Sequence, residues 1–332
     1  MSLKLDEIPK VNISNPNFTR TEKSALKLAK LWHEGASSFE FTTSGSTGKA
    51  KHITISRELI EYSTQATFAA IDPDHSIKTS LLCLNPSFIG GAMVVFRALI
   101  AKQDLYIIEP ASQLTDAFKF RANYDLVSMV PLQFKSLPAH TIEQFGTILI
   151  GGAPMDTERK TYENNVYAAF GMTETVSHIA LRKIDEELFS TTGDMEVSLS
   201  EDGCLRFKGT MTHNQWLETT DVGTCHNSHA FKWIGRKDFI INSGGIKLNP
   251  ESIEAHLFPQ INSPFIISSM PDNKLGEKVV LVIEGNRPKE LDLSPLPKFE
   301  KPKQVLENFK IPRTASGKMD RIKTKELLRD LH

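Results

Sequence analysis

The chain has 332 residues, enough for a substantial core and about two domains. With 39 Lys+Arg against 40 Asp+Glu its net charge is −1, so a nucleic-acid partner is not expected. Three cysteines, Cys83, Cys204 and Cys225, lack C-x-x-C spacing, which argues against a disulfide framework or zinc site and for a reducing compartment.

Met1-Ser2-Leu3-Lys4-Leu5-Asp6 has no basic segment leading into an apolar run, so no signal peptide is expected. No run reaches the ~18 apolar residues of a membrane span, and a cytoplasmic protein with no membrane partner is expected. Thr19-x-x-Glu22 is a capping-box pattern, and Ala25, Leu28, Ala29 and Trp32 recur at helical spacing, predicting a helix over 21–33. β-like segments lie at 38–41 and 52–55. Between them runs Thr42-Thr43-Ser44-Gly45-Ser46-Thr47-Gly48-Lys49-Ala50-Lys51. Small hydroxyls and glycines let backbone N–H groups converge, and lysine adds charge, as a polyphosphate requires of a loop. The G-x-x-x-x-G-K-[ST] spacing is absent, and an ordinary Ser/Thr/Gly hairpin turn has the same composition.

Ser56 can cap a helix running to 70. The pattern then alternates: strand 80–84, helix 91–101, strand 105–108, helix 114–121, strand 126–130, a short helix opened by Pro131, strand 147–150. Such alternation predicts a largely parallel sheet covered on both faces. After 170 come short strands at 179–184, 196–199, 205–208 and 231–234, with Asp202-Gly203 as a hairpin turn. That region is expected to be antiparallel, a barrel-like or meander element. Cys225-His226-x-x-His229 reads as polar residues on a turn rather than a metal cluster. Beyond Asp238 follow a helix at 250–257, strands at 265–268 and 279–284, a Pro/Lys-rich surface loop at 287–303 and a terminal helix at 320–331. The expected fold class is α/β: a large domain over 1–237, mainly parallel sheet plus a β-rich element, then a small α+β lobe over 238–332.

Further motifs carry chemistry. Gly151-Gly152-Ala153-Pro154 directly follows a strand, where open parallel sheets collect ligands, and its bare backbone can take a flat ring. An ordinary strand-to-helix turn reads the same way. In Phe170-Gly171-Met172-Thr173-Glu174-Thr175, Glu174 suits either Mg²⁺ or the start of a helix. Asp221, in Thr220-Asp221, can accept two hydrogen bonds from a ribose diol or serve in a turn. Gly235-Arg236-Lys237-Asp238 leads into Ser243-Gly244-Gly245, which suits a hinge with a close-approach surface behind it. Pro312-Arg313-Thr314-Ala315-Ser316-Gly317-Lys318 is a second Ser/Gly/Lys loop.

In this order the motifs resemble the adenylate-forming superfamily of acyl-CoA synthetases, peptide-synthetase adenylation domains and luciferases, over nearly the whole chain. Three departures stand out. Ala50 and His52 replace the usual Pro and Gly of the phosphate loop, and Phe170 replaces Tyr. Only about forty residues precede the loop, so an N-terminal subdomain is expected to be missing. That shortening, with Gly171-Met172-Thr173-Glu174-Thr175-Val176-Ser177-His178, is most similar to the short bacterial o-succinylbenzoate–CoA ligases of menaquinone synthesis.

The resemblance implies ATP, Mg²⁺ and coenzyme A, and formation of an acyl-AMP that a thiol then attacks. It assigns Thr43, Ser44, Gly45, Ser46, Thr47, Gly48 and Lys51 to the phosphates and Thr173 to the α-phosphate. Glu174 takes Mg²⁺; Gly151, Gly152, Ala153 and Phe170 surround the adenine, and Gly171 and Met172 also belong to the cofactor site. Asp221 and Arg236 hold the ribose, Lys318 is the catalytic lysine, Asp238 the hinge, and Gly244 and Gly245 face the pantetheine arm. Phe88, Gly91, Arg97, Ser177 and His178 are candidates for the acyl pocket. Other acids of the superfamily (aryl, fatty or amino acids) and a non-enzymatic nucleotide-binding paralogue stay open, as does a homo-oligomer covering surface left by the short N-terminus.

Overall fold

The computed structural model describes residues 2–3, 17–42, 52–152, 165–261, 263–313 and 319–331. A two-residue edge strand, β1 (Ser2–Leu3), is followed by α1 (Arg20–His33). Its capping box is closed in both directions: Glu22 N donates to Thr19 Oγ1 at 3.2 Å and Thr19 N to Glu22 Oε2 at 2.9 Å. β2 (Ser38–Thr42) and β3 (His52–Ser56) form an antiparallel hairpin. Phe39, Phe41 and Ile55 are buried, while Ser38, Glu40 and Thr42 face solvent. The register puts Thr42 opposite His52, so the ends of the phosphate-loop sequence are held side by side. Arg57 ties the hairpin to α1, donating from Nε to Ala36 O at 2.9 Å with its guanidinium 3.8 Å from the Trp32 ring centroid.

Arg57 also opens α2 (Arg57–Ile71), capped by Ser56 Oγ. The chain then alternates through β4 (Thr79–Leu82), α3 (Ile89–Ile100), β5 (Asp104–Ile107) and β6 (Tyr124–Met129). It continues through α4 (Pro131–Ser136), α5 (Ala139–Ile142), β7 (Phe145–Ile150) and β8 (Asn165–Gly171). The strands lie in the order β5-β4-β6-β7-β8, all parallel, as the alternation predicts. Successive residues serve opposite faces: Leu126 and Leu149 pack with Phe68 and Ile71 of α2, whereas Val127, Ile148 and Ile150 pack with Phe134 of α4. α3 is apolar all round and buried from Gly91 to Leu99, with Arg97 its single charged residue.

Next come β9 (His178–Lys183), β10 (Phe189–Thr191), β11 (Glu196–Leu199), β12 (Cys204–Lys208), β13 (Leu217–Asn227) and β14 (Ala230–Arg236). They are antiparallel as expected, and they extend the same sheet to twelve strands, continuing β8-β9-β10-β14-β13-β12-β11. A second sheet holds β15 (Ile241–Ser243), β16 (Ile246–Leu248), β17 (Phe265–Asp272), β18 (Gly276–Ile283) and β19 (Gln304–Leu306). On β18, Val279, Leu281 and Ile283 face α6 (Pro250–Leu257), while Val280 and Val282 face α7 (Arg321–Asp330). No described helix is long and apolar enough to cross a membrane.

Some expectations need correction. The helix expected over 114–121 is a single tight turn, Ala117–Lys119, because the Tyr124 hydroxyl takes the Ala117 carbonyl that a continuing helix would use. Cys225 and His226 lie on β13 rather than on a turn; its mixed burial hid an eleven-residue strand. The 287–303 loop is not all surface, since Leu296 is buried and Leu291 and Leu293 pack on the small-lobe core.

Candidate active site

β7 and β8 are parallel neighbours with Ile150 opposite Ala168, so Gly151 and the Phe170-Gly171 pair sit at adjacent strand ends. Gly152 follows with φ +84°. A Cβ on Gly171 would fall 2.1 Å from Ser177 O, so only glycine lets the next turn fold back. Buried Thr175 braces that turn, accepting from Met172 N at 3.1 Å with its hydroxyl 2.9 Å from Ser177 O. Val176 closes it at φ +64°, a costly conformation for a β-branched residue. Thr173 and Glu174 ride on this braced turn. Glu174 is exposed and makes no ion pair among the described residues. No group of three metal-ligating side chains occurs among them either. One presented carboxylate fits Mg²⁺, which binds through one or two carboxylates plus substrate phosphates rather than a protein cage. Half-buried Phe170 packs against Phe231, Phe207 and Phe189 at 5.2, 5.4 and 5.9 Å.

Asp221 on β13 is registered opposite Arg236 on β14. Its Oδ1 accepts from Trp233 Nε1 at 2.8 Å and its N–H donates to Thr219 Oγ1 at 3.0 Å. Burial pushes the carboxyl pKa up, while the Trp233 bond and Arg236 pull it back. Arg236 Nη2 donates to Thr220 Oγ1 at 2.7 Å and to Asp238 Oδ2 at 3.1 Å. Arg236 and Arg321 both lie over the Phe239 ring, at 5.4 and 5.5 Å. The Asn249 side chain donates to Ile234 O, and a Cβ on Gly235 would meet Asn249 Cγ at 2.8 Å. β14, of the large sheet, and the start of α6 therefore touch beside Gly235-Arg236-Lys237-Asp238.

Gly244 and Gly245, at φ +60° and +82°, are the two-residue turn between β15 and β16. A tight hairpin with both φ positive demands glycine by itself, without any ligand. Arg313 bridges to Met319 and its Nη2 meets Glu284 Oε2 at 2.8 Å, which pins both ends of the lysine loop. Thr43, Ser44, Gly45, Ser46, Thr47, Gly48, Lys51, Ala153 and Lys318 lie outside the described residues.

Of the pocket candidates, Arg97, Ser177 and His178 meet. Arg97 is 3% exposed, and its Nη2 lies 3.3 Å from Ser177 Oγ and 3.4 Å from His178 Nδ1. Its Nε has no partner, and no carboxylate among the described residues pairs with it. Burial lowers the guanidinium pKa to about 10, still charged at neutral pH. Burial, then Arg97, holds His178 well below its ordinary value. A buried cation without a counter-ion is costly, and an arriving anion relieves that cost. Phe88 and Gly91 do not join this cluster. Phe88 is 44% exposed at the start of α3. A Cβ on Gly91 would fall 2.4 Å from Asn85 O, so packing alone requires the glycine. Sequence reasoning missed Thr67, Trp233 and Glu251. The one available signal was Ser63, Thr64 and Thr67, small hydroxyls clustered on the inward face of an otherwise apolar stripe.

Residues 15–198 match the AMP-binding enzyme family model. The chain belongs to that family, and its class is that of the ATP-dependent, AMP-forming acyl-CoA ligases. A 2-succinylbenzoate–CoA ligase of Listeria monocytogenes serotype 4b is 27% identical over 357 residues, covering 95% of this chain and 75% of that protein. An acyl-CoA synthetase (AMP-forming)/AMP-acid ligase II-like protein from Dyadobacter fermentans is 30% identical, with a TM-score of 0.64 and 99% of each chain covered. The o-succinylbenzoate CoA synthetase of Bacillus subtilis, solved with its acyl-adenylate, shares the fold at 21% identity, with a TM-score of 0.71 over 86% of this chain and 68% of that one.

Proposed function

We propose that the chain activates o-succinylbenzoate to its acyl-adenylate and transfers the acyl group to coenzyme A in the cytoplasm. The observation that carries the substrate class is Arg97, a buried guanidinium with no counter-ion among the described residues, faced by Ser177 and His178. A dicarboxylic acid has a second carboxylate to spare for it; a simple aryl or fatty acid does not. The Listeria relatives are named for the same dicarboxylate.

In this reading one substrate carboxylate attacks the α-phosphorus of ATP while Arg97 holds the other. The chain's part is to align the reactants and stabilise charge on the phosphoryl oxygens. Gly151, Gly152 and Phe170 border the adenine, Gly171 and Met172 belong to the same cofactor site, Thr173 meets the α-phosphate and Asp221 with Arg236 holds the ribose. Glu174 supplies the protein ligand for Mg²⁺, which neutralises phosphate charge. Lys51 and Lys318 act from the two glycine-rich loops. Residues 238–332 form a lobe that turns about Asp238 between half-reactions, withdrawing Lys318 and bringing the Gly244-Gly245 turn forward.

Mass spectrometry after incubation with ATP, Mg²⁺ and o-succinylbenzoate should find the acyl-adenylate, and benzoate should yield none. Equal product from both acids would overturn the substrate reading. Lys318→Ala should lose ~10²–10³-fold in adenylation, the usual effect of removing one preorganised charge stabiliser. Thioester formation from supplied acyl-adenylate should be spared; an equal loss in both steps would refute the lobe exchange.

A further inference from the structure

We propose that Thr67 is a positioning residue: its hydroxyl sets which nitrogen of His178 faces Arg97, and so holds the guanidinium ready for the substrate's second carboxylate. The inference rests on the Arg97 reading above and adds a residue on α2 that no sequence motif marks.

The chain of contacts leaves one proton arrangement. Arg97 Nη2 lies 3.4 Å from His178 Nδ1. A guanidinium has only donors, so Nδ1 must be the bare, accepting nitrogen. A neutral imidazole then carries its proton on Nε2, which is 3.0 Å from Thr67 Oγ1. Thr67 accepts there, and its own proton goes to Ser63 O at 2.8 Å, one helical turn back. Thr67 is 1% exposed, His178 7% and Arg97 3%, so no solvent competes for these bonds. The depressed His178 pKa agrees, because a second ring proton would point at Arg97. Ser177 Oγ, 3.3 Å from Nη2, is the other brace. Nε is left unpartnered. Without the Thr67 hydroxyl, His178 Nε2 loses the one partner it has among the described residues, and a proton on Nδ1 would push the guanidinium away.

Long-range ¹H–¹⁵N spectra of the ligand-free protein should show His178 protonated on Nε2 alone; protonation on Nδ1 would overturn the proposal. Thr67→Val keeps the shape and removes the hydroxyl. It should raise KM for o-succinylbenzoate about tenfold, the scale of one buried hydrogen bond, with kcat and KM for ATP little changed. Thr67→Ser should restore wild-type behaviour. Unchanged KM in Thr67→Val, or a loss that Thr67→Ser shares, would sink the positioning role. Arg97→Met run alongside separates the two readings. If it raises KM while Thr67→Val does not, only this inference fails. If neither does, the carboxylate site itself is wrong. The spectrum of the unmodified protein decides the tautomer even if Thr67→Val does not fold.

Discussion

Two arginines, one buried and one half-buried, one in each sheet region, are treated in opposite ways. Arg321 on α7 meets both carboxylate oxygens of Glu254, Nη1 lying 2.7 Å from Oε1 and Nη2 bonding Oε2. That pair raises its pKa despite burial. Arg97 on α3 is buried more deeply, among apolar side chains, has only neutral partners among the described residues, and its pKa falls to about 10. Paired, a buried guanidinium holds elements together, here α7 against α6 and β17. Unpaired, it is a standing cost that the fold retains, and a ligand that supplies the missing charge accounts for its retention.

The largest expected effect is at the paired site. Arg321→Leu leaves half-buried Glu254 with the Ile267 N–H but without its cation, and should lower unfolding stability by about 3 kcal/mol, the low end for breaking a buried pair, read by urea denaturation. A loss under about 1 kcal/mol would put Arg321 and Arg97 in the same category and dissolve the contrast. Arg97→Met should do the reverse. It removes an uncompensated charge, so stability should hold or rise, while kcat/KM for o-succinylbenzoate should fall by about 10²-fold, as for a lost charged hydrogen-bond partner. Destabilisation with activity intact would make Arg97 structural.

Glu251 sharpens the comparison from the acidic side. It lies close to Arg321, and its Oε2 has no hydrogen-bond partner. Burial raises its pKa from 4.5 to about 7, Glu254 and Asp221 add to the shift, and Arg321 and Arg236 oppose it. Between those values the folded chain keeps a proton that the unfolded chain releases, so stability falls as pH rises through the window and levels off above it. Glu251→Gln should abolish that fall, a gain of about 2–3 kcal/mol at about pH 8 and none at about pH 4. The denaturation midpoint against pH would show it; a wild-type profile flat from pH 4.5 to 7 would count against the burial account.

Much of this molecule is local in origin. The Thr19–Glu22 box, the Ser56 cap, the alternation of strand and helix and the helix beginning at Pro250 follow from caps, breakers and period, which neighbouring residues settle among themselves. The motif loops are expectations from composition, runs of Gly, Ser, Thr and Lys whose backbone can close on phosphate, and their residues lie outside the described ones. The tertiary structure decided what depends on distant partners. β13 has a weak alternation and is a strand because β12 and β14 flank it. The double glycine, which by sequence suits a ligand surface, is required by its hairpin. Arg97 meets Ser177 across 80 residues of chain, and Thr67 meets His178 across 111. Whether a charge has a partner is a property of what the fold brings near it, and no pattern within a few residues of Arg97 records that no described carboxylate would arrive.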